Sequence, residues 1–283
     1  MTDLVPIPQV SFSGGVSVPR LGLGTWRMGE ARTARAAEVR ALRAGIELGM
    51  TLIDTAEMYG DGGSEEVVAE AIADCRDRVF IVSKFYPQHA ARKALARACE
   101  GTLRRLGIER LDLYLLHWRG DVPLAETVEG LERLVDAGRI ARWGVSNLDV
   151  ADLGELESSG GAGRIATNQV LYNLSRRGVE WDLLPWCRAR GIPVMAYSPV
   201  EQGRLANAPA LQAVAKRLGA SASQVALAWL LTKPGIVAIP KATTGDHVRE
   251  NRAAARLVLD AQALHALDGA FPPPRRRGPL EMI

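Results

Sequence analysis

Cysteine is scarce. Cys75, Cys99 and Cys187 are three thiols in 283 residues, an odd number with no Cys-x-x-Cys spacing. That excludes a disulfide framework and a thiolate zinc site, and it predicts free thiols in a reducing cytoplasm. Long apolar runs are also lacking. The longest, Val225 to Leu231, falls well short of the roughly 18 residues a membrane helix needs, so no membrane association is predicted. Met1-Thr2-Asp3-Leu4 carries neither a basic cluster nor an apolar core, and no secretory signal is expected. Charge of one sign is nearly absent: 35 basic against 32 acidic side chains leave a net +3, too small a footprint for nucleic acid. The one dense basic run, Arg275-Arg276-Arg277, follows Phe271-Pro272-Pro273-Pro274 and reads as a solvated tail. The four histidines (His89, His117, His247, His265) are scattered, so no metal is predicted.

Short β-branched or apolar runs recur throughout: Leu21–Gly24, Thr51–Asp54, Val79–Ser83, Leu111–Leu116, Arg142–Ser146, Ala166–Gln169, Pro193–Tyr197 and Ile236–Ile239. Helical periodicity fills the intervals, as at 33–48, 90–106 and 124–137, with Gly49, Gly107 and Gly138 as stops. Eight strand-then-helix units of about 30 residues are what a (β/α)₈ TIM barrel requires, with an open doubly wound sheet as the rival. The 43-residue step before the eighth strand is too long for one helix. It holds helical patterns at 208–218 and 223–231, and another short helix is expected at 261–267 after the one at 246–255. The expected fold is therefore an α/β barrel with two extra helices. Before its first strand, residues 9–18 with Gly14-Gly15 at the centre read as a β-hairpin placed to plug the barrel's N-terminal end. No linker divides the chain, so one domain over 1–283 is expected, with a tail at about 271–283.

In such a barrel the active site lies at the C-terminal ends of the strands. The runs end, in order, on Gly24-Thr25-Trp26, Asp54 (followed by Tyr59), Ser83-Lys84, His117-Trp118, Ser146-Asn147, Asn168-Gln169, Tyr197-Ser198 and Pro240-Lys241. Only five of the 35 basic residues are Lys, yet two of the five, Lys84 and Lys241, fall at strand ends. Lys offers a compact charge whose pKa and position are tunable, which Arg does not. A strand-ending Asp or a lone His is usually a cap or a satisfied polar group. Four such groups on consecutive units, Asp54, Tyr59, Lys84 and His117, are hard to explain as caps. Trp26, Phe85, Tyr86 and Trp118 flank them and are expected to wall a substrate pocket.

These strand-end fragments, above all Asp54-Thr55-Ala56-Glu57-Met58-Tyr59, Ser83-Lys84, Leu115-Leu116-His117-Trp118, Gly144-Val145-Ser146-Asn147, Asn168-Gln169-Val170, Ala196-Tyr197-Ser198-Pro199 and Ile239-Pro240-Lys241, resemble the aldo-keto reductases over nearly the whole chain. Within that family the chain looks most like compact bacterial reductases of small aldehydes such as methylglyoxal. The resemblance implies reduction of a small carbonyl substrate by a nicotinamide cofactor. Tyr59 is then the general acid, Lys84 the charge that lowers its pKa, Asp54 the partner that fixes Lys84, and His117 the group that orients the carbonyl. It also implies a cofactor site. Gly24, Thr25, Trp26 and Asp54 contribute at the mouth, Ser146, Asn147 and Gln169 hold the carboxamide, and Tyr197 stacks on the nicotinamide. The loop containing Ser198, Val200, Gly203 and Leu205 crosses the pyrophosphate. Lys241, Ala242 and Thr243 meet the adenosine ribose and its phosphate, with Glu250 and Asn251 near the adenine.

Two departures bear on cofactor choice. His247 stands where the family often has Arg, and Ala242 replaces a common Ser or Thr. NADP(H) is the expected cofactor, with NAD(H) possible and discrimination weaker than usual. The short loop Arg119–Val122 implies an open pocket. Cys187 and Met195 read as core. Gly22-Leu23-Gly24-Thr25-Trp26-Arg27 lacks the third glycine of a dinucleotide fingerprint and is read as a tight turn. Two other functions compete: a Schiff-base aldolase using Lys84, and an NADP-sensing regulatory protein with little turnover. No oligomeric state follows from the sequence.

Overall fold

The computed structural model describes residues 5–161 and 163–283; the reading of Met1–Leu4 lies outside them. Among the described residues the chain opens with strands β1 (Gln9–Ser11) and β2 (Ser17–Pro19), paired antiparallel with Val10 opposite Val18. Gly14 and Gly15 make the turn at φ of 78° and 76°, values that glycine adopts without steric cost.

Eight parallel strands follow: β3 (Leu23–Gly24), β4 (Leu52–Asp54), β5 (Phe80–Phe85), β6 (Leu113–Leu116), β7 (Trp143–Ser146), β8 (Asn168–Leu171), β9 (Val194–Tyr197) and β10 (Ile236–Ala238). Each pairs with the next in sequence order. The first and last also meet. Leu21 and Gly24 form parallel bridges to Ala238 and Lys241, with Gly22 N donating to Ala238 O at 2.9 Å and Gly24 N to Pro240 O at 3.0 Å. The sheet is thus a closed barrel, and the open doubly wound alternative is excluded. At this seam a Cβ on residue 24 would stand 2.7 Å from the Ile239 carbonyl oxygen, so only glycine lets the strands approach.

The helices are α1 (Arg35–Glu47), α2 (Gly63–Ile72), α3 (Arg92–Leu106), α4 (Leu124–Asp136), α5 (Val150–Leu156), α6 (Leu183–Ala189), α7 (Pro209–Leu218), α8 (Ala222–Thr232), α9 (Gly245–Ala253) and α10 (Ala261–Ala270). Two of them, α7 and α8, occupy the long step before β10, and α10 follows α9, so the two extra helices fall where the spacing places them. Helix α8 is buried without interruption from Val225 to Leu230, which explains its unbroken apolar run.

Side-chain alternation along the strands divides the core in two. Leu52, Phe80, Val82, Leu113, Leu115, Met195, Val237 and Ile239 fill the barrel, together with Phe12 and Val18 of the hairpin. Phe12 meets Phe80 edge-on at 5.6 Å. The hairpin therefore seals the end at which the strands begin. The alternate residues, including Ile53, Ile81, Phe85, Tyr114 and Val145, join the larger core beneath the helices. Polar side chains cap the barrel's opposite end.

The tail is docked. Arg277 Nε lies 2.9 Å from an Asp182 carboxylate oxygen, and Glu281 accepts from Arg176 at 2.7 Å. Leu280 packs on the outer core. The run 275–277 is thus only partly a solvated tail: Arg277 anchors it.

Candidate active site

Lys84 is the hub of the polar layer. The register of β5 sends Val82 and Lys84 inward and Ile81, Ser83 and Phe85 outward. The Lys84 side chain is fully buried. Its Nζ donates to Asp54 Oδ2 at 2.9 Å, to the Thr55 carbonyl at 2.8 Å and to the Tyr59 hydroxyl at 3.2 Å. An ammonium has three protons, and this arrangement uses all of them. Gln169 Nε2 donates to the other Asp54 oxygen at 2.7 Å, so both carboxylate oxygens are engaged.

Burial works against the Lys84 charge, but Asp54 and Tyr59 outweigh it and hold the amine above its ordinary pKa. Burial likewise raises the Asp54 carboxyl, opposed by Lys84 and Gln169. For Tyr59, burial pushes the phenol up, Lys84 pulls it down and Asp54 pushes it up again; the net direction is upward. The sequence led to the opposite expectation, a phenol lowered by Lys84. Lys84 does pull the phenol down, but burial of the hydroxyl outweighs that pull, and the Asp54 carboxylate adds to the upward push. Tyr59 therefore holds its proton at neutral pH.

His117 lies across the mouth, its ring centroid 5.9 Å from that of Tyr59. Its Nδ1 is buried with no partner. Burial and the nearby Lys84 charge push the imidazole down to about 2, so it is neutral throughout the physiological range. Asn147 Nδ2 holds the His117 carbonyl at 3.1 Å and the Ser146 Oγ at 3.1 Å, and Ser146 Oγ donates to the Gln169 carbonyl at 2.8 Å. The Tyr197 hydroxyl donates to Asn147 Oδ1 at 3.1 Å. Asn147 and Ser198 carry positive φ, 57° and 47°, a conformation L-residues adopt at a cost and often at functional sites. Asp54, Tyr59, Lys84, His117, Ser146, Asn147, Gln169 and Tyr197 thus form one connected constellation.

The remaining expected residues divide. Thr25 binds the Asp54 carbonyl through its Oγ1 at 2.9 Å. Trp26 is exposed beneath the Arg27 guanidinium, 4.5 Å from its ring. Tyr86 and Trp118 meet edge-on at 5.9 Å. Phe85 requires correction: it is fully buried and faces outward against Tyr114 at 5.0 Å, because it alternates with Lys84, so it does not line the mouth. Leu205 and Ala242 also turn their side chains into the core, leaving only their backbones for a ligand. Val200 is half-buried and Gly203 exposed, with Gly203 at φ 86°. Lys241 and His247 are exposed, Thr243 and Glu250 half-buried, and Asn251 buried. The His247 backbone N–H caps on Thr244 Oγ1 at 3.3 Å.

Several contributors escaped sequence reasoning. The Thr55 carbonyl takes a Lys84 proton. Thr25, Thr55 and Ser64 share a buried hydroxyl cluster under the ends of β3 and β4. Glu57 accepts from the Tyr86 backbone N–H at 2.7 Å and pairs with His89 Nδ1 at 2.8 Å, fixing the loop that carries Tyr86. Glu57 lies inside the strand-two fragment, and its position three residues after Asp54 was the available signal.

Among the described residues no group of three His, Cys, Asp or Glu is placed to hold a metal. Burial pushes the Cys99 and Cys187 thiols up to about 12, so neither is poised as a nucleophile.

The sequence profile of the aldo/keto reductase family matches residues 20–271. The chain belongs to this family. It is 52% identical to the methylglyoxal reductase YeaE of Escherichia coli K12 over 280 residues, covering 97% of this chain and 99% of that one. Two aldo/keto reductase structures from Klebsiella pneumoniae share the fold. One, in complex with NADPH, has a TM-score of 0.96 at 51% identity and covers 99% of this reductase and 100% of its own chain. The other, in complex with NADP and acetate, has a TM-score of 0.95 at 52% identity with 97% and 99% covered. No helix among the described residues of this reductase is long and apolar enough to cross a membrane.

Proposed function

We propose that this reductase converts small aldehydes and ketones to alcohols with hydride from NADPH, and that Tyr59 supplies the proton. The observation that carries the reading is the Lys84 hub: a buried ammonium bonded at once to Asp54 and to the Tyr59 hydroxyl. The polar layer suits a nicotinamide cofactor by its donor set. Ser146, Asn147 and Gln169 offer hydroxyl and amide groups that match a carboxamide, Tyr197 offers a ring face, and Lys241 offers an exposed cation for phosphate. When bound, the cofactor supplies hydride to the carbonyl carbon.

The chain's own residues do the rest. His117, neutral and set across the mouth from Tyr59, orients the carbonyl oxygen beside the phenol. Tyr59 gives its proton to that oxygen as the alkoxide forms, and the phenolate left behind is stabilised by Lys84 at 3.2 Å. Lys84 itself stays fixed because Asp54 and the Thr55 carbonyl occupy its other protons. The aromatic walls Trp26, Tyr86 and Trp118 and the short loop at 119–122 favour small carbonyl substrates, methylglyoxal among them. Three free thiols fit a reducing cytoplasm.

The Schiff-base alternative is disfavoured by the same hub. Imine formation needs a free amine, whereas Lys84 is fully buried, three times hydrogen-bonded and held above its ordinary pKa.

Tyr59→Phe tests the reading. It removes the proton donor and keeps the ring, so kcat should fall by about 10²–10⁴ while NADPH affinity, read by fluorescence titration, stays near wild type. A Phe variant with half the wild-type kcat would remove Tyr59 from its role. Assaying a panel of aldehydes and ketones with NADPH and NADH, methylglyoxal included, defines the substrate range.

A further inference from the structure

The loop after β9 and the tail meet on one guanidinium. Arg176 lies just beyond β8, in a turn closed by backbone hydrogen bonds between Asn173 and Arg176. Its Nε and Nη2 donate to Glu201 Oε1 at 3.2 and 3.1 Å, and its Nη1 donates to Glu281 Oε1 at 2.7 Å. One carboxylate belongs to the loop that follows Tyr197, the other to the tail, 105 residues from Arg176 in sequence.

The loop end of this clasp is buried and strained. Glu201 is only 5% exposed and also receives Asn173 Nδ2 at 2.7 Å and Arg204 at 2.9 Å. Asn173 holds the Ser198 carbonyl as well, at 2.9 Å. Ser198, Glu201, Gln202 and Gly203 all have positive φ, a strained conformation for the three non-glycines that the surrounding contacts must offset. The loop therefore keeps its path because the Glu201 carboxylate is gripped. The tail end of the clasp is half-exposed. The tail thus reaches the turn after β8 whose Arg176 also grips the loop.

We propose that Arg176 is a positioning residue for the reduction: it makes the cofactor-crossing loop and the tail open and close as one body, so that docking of the tail slows release of the nucleotide. This rests on the reading of residues 198–205 as the segment that crosses the cofactor. Arg suits the task because its planar fork holds separate donors in fixed directions, two toward Glu201 and one toward Glu281.

The test is NADPH release, followed by stopped-flow fluorescence with excess NADP⁺ as trap, in wild type, Glu281→Gln, Arg176→Gln and the double variant. Glu281→Gln lies on the half-exposed tail and preserves the fold. It should speed release by about two- to fivefold, the scale of a partly screened ion pair. Arg176→Gln should speed release at least as much, and the double variant should match Arg176→Gln, because Glu281 then has no partner left to lose. High salt should speed release from wild type and shrink its difference from Glu281→Gln. The single-turnover hydride-transfer rate should be unchanged in Glu281→Gln. Release from Glu281→Gln at the wild-type rate, or effects that multiply in the double variant, would overturn the proposal while leaving NADPH binding intact. Failure of the wild type to bind NADPH would instead overturn the reading beneath it, and the proposal with it.

Discussion

Lys84 and Asp54 illustrate how one side chain's environment sets the cost of losing its neighbour. Lys84→Met leaves the Asp54 carboxylate buried with Gln169 as its remaining donor. Breaking a buried pair from one side costs about 3–5 kcal/mol, whereas replacing both partners is far milder. Lys84→Met should therefore melt well below wild type, and Asp54→Asn with Lys84→Met should recover most of the loss. Neither should recover carbonyl reduction, because the phenolate of Tyr59 has lost its counter-charge. Calorimetry and kcat on the same samples separate the two effects; a double variant as unstable as Lys84→Met would contradict the ion pair. His117 makes a second residue-level prediction. Its folded pKa is depressed to about 2, against about 6.5 when unfolded. The unfolded chain thus binds a proton that the folded chain refuses. This contribution to stability is present above about pH 6.5 and is lost as pH falls below it, by up to about 1.4 kcal/mol per unit. Between pH 6.5 and 4.5 wild type should lose about 2–3 kcal/mol more than His117→Gln in denaturant titrations. Parallel curves for the two proteins would show that the imidazole is not held neutral.

At the scale of elements, α9 carries the test of cofactor choice. His247 sits exposed in its first turn, and an imidazole offers a phosphate fewer donors than a guanidinium. Two residues on, Arg249 already pairs with Asp246. His247→Arg should tighten NADPH by about 1.5 kcal/mol, the low end for a hydrogen bond to a charged group, and leave NADH unchanged. Equal changes for both nucleotides, in parallel titrations, would move residue 247 away from the phosphate. Elements were also the scale at which the sequence was most readable. Strand runs, glycine stops and the two helices packed into the long step before β10 are local signals, and each strand end emerged within a few residues of its place. Phe85 shows the limit. Its position at the end of a strand was readable, but its outward direction depends on the register that turns Lys84 inward. Arg176 and Glu201 were invisible for a related reason: their contact joins segments 25 residues apart with no shared periodicity to announce it.

For the whole molecule, the hairpin and the polar layer close opposite ends of one barrel. Phe12 is 2% exposed and fills the base beneath Phe80. Phe12→Ala should destabilise the protein by about 3–5 kcal/mol through the cavity it opens, while kcat/KM at a temperature where the variant stays folded should match wild type, since the apolar layers separate it from Lys84. Guanidinium melts and steady-state rates on one preparation measure both, and a large fall in kcat/KM would mean that the base and the mouth are mechanically linked. The barrel itself joins only where β3 meets β10, a seam reinforced by Arg20 Nε, which donates to the Ile236 carbonyl 216 residues further along the chain. During synthesis that distance is time. At about 5–20 residues per second, on the order of 10–40 seconds pass between the emergence of Arg20 and that of its partner. Throughout that interval β3 presents an unpaired edge to its surroundings, the kind of edge that pairs with other chains. The nascent reductase is thus most exposed to misassembly on the ribosome, before β3 has β10 to close against.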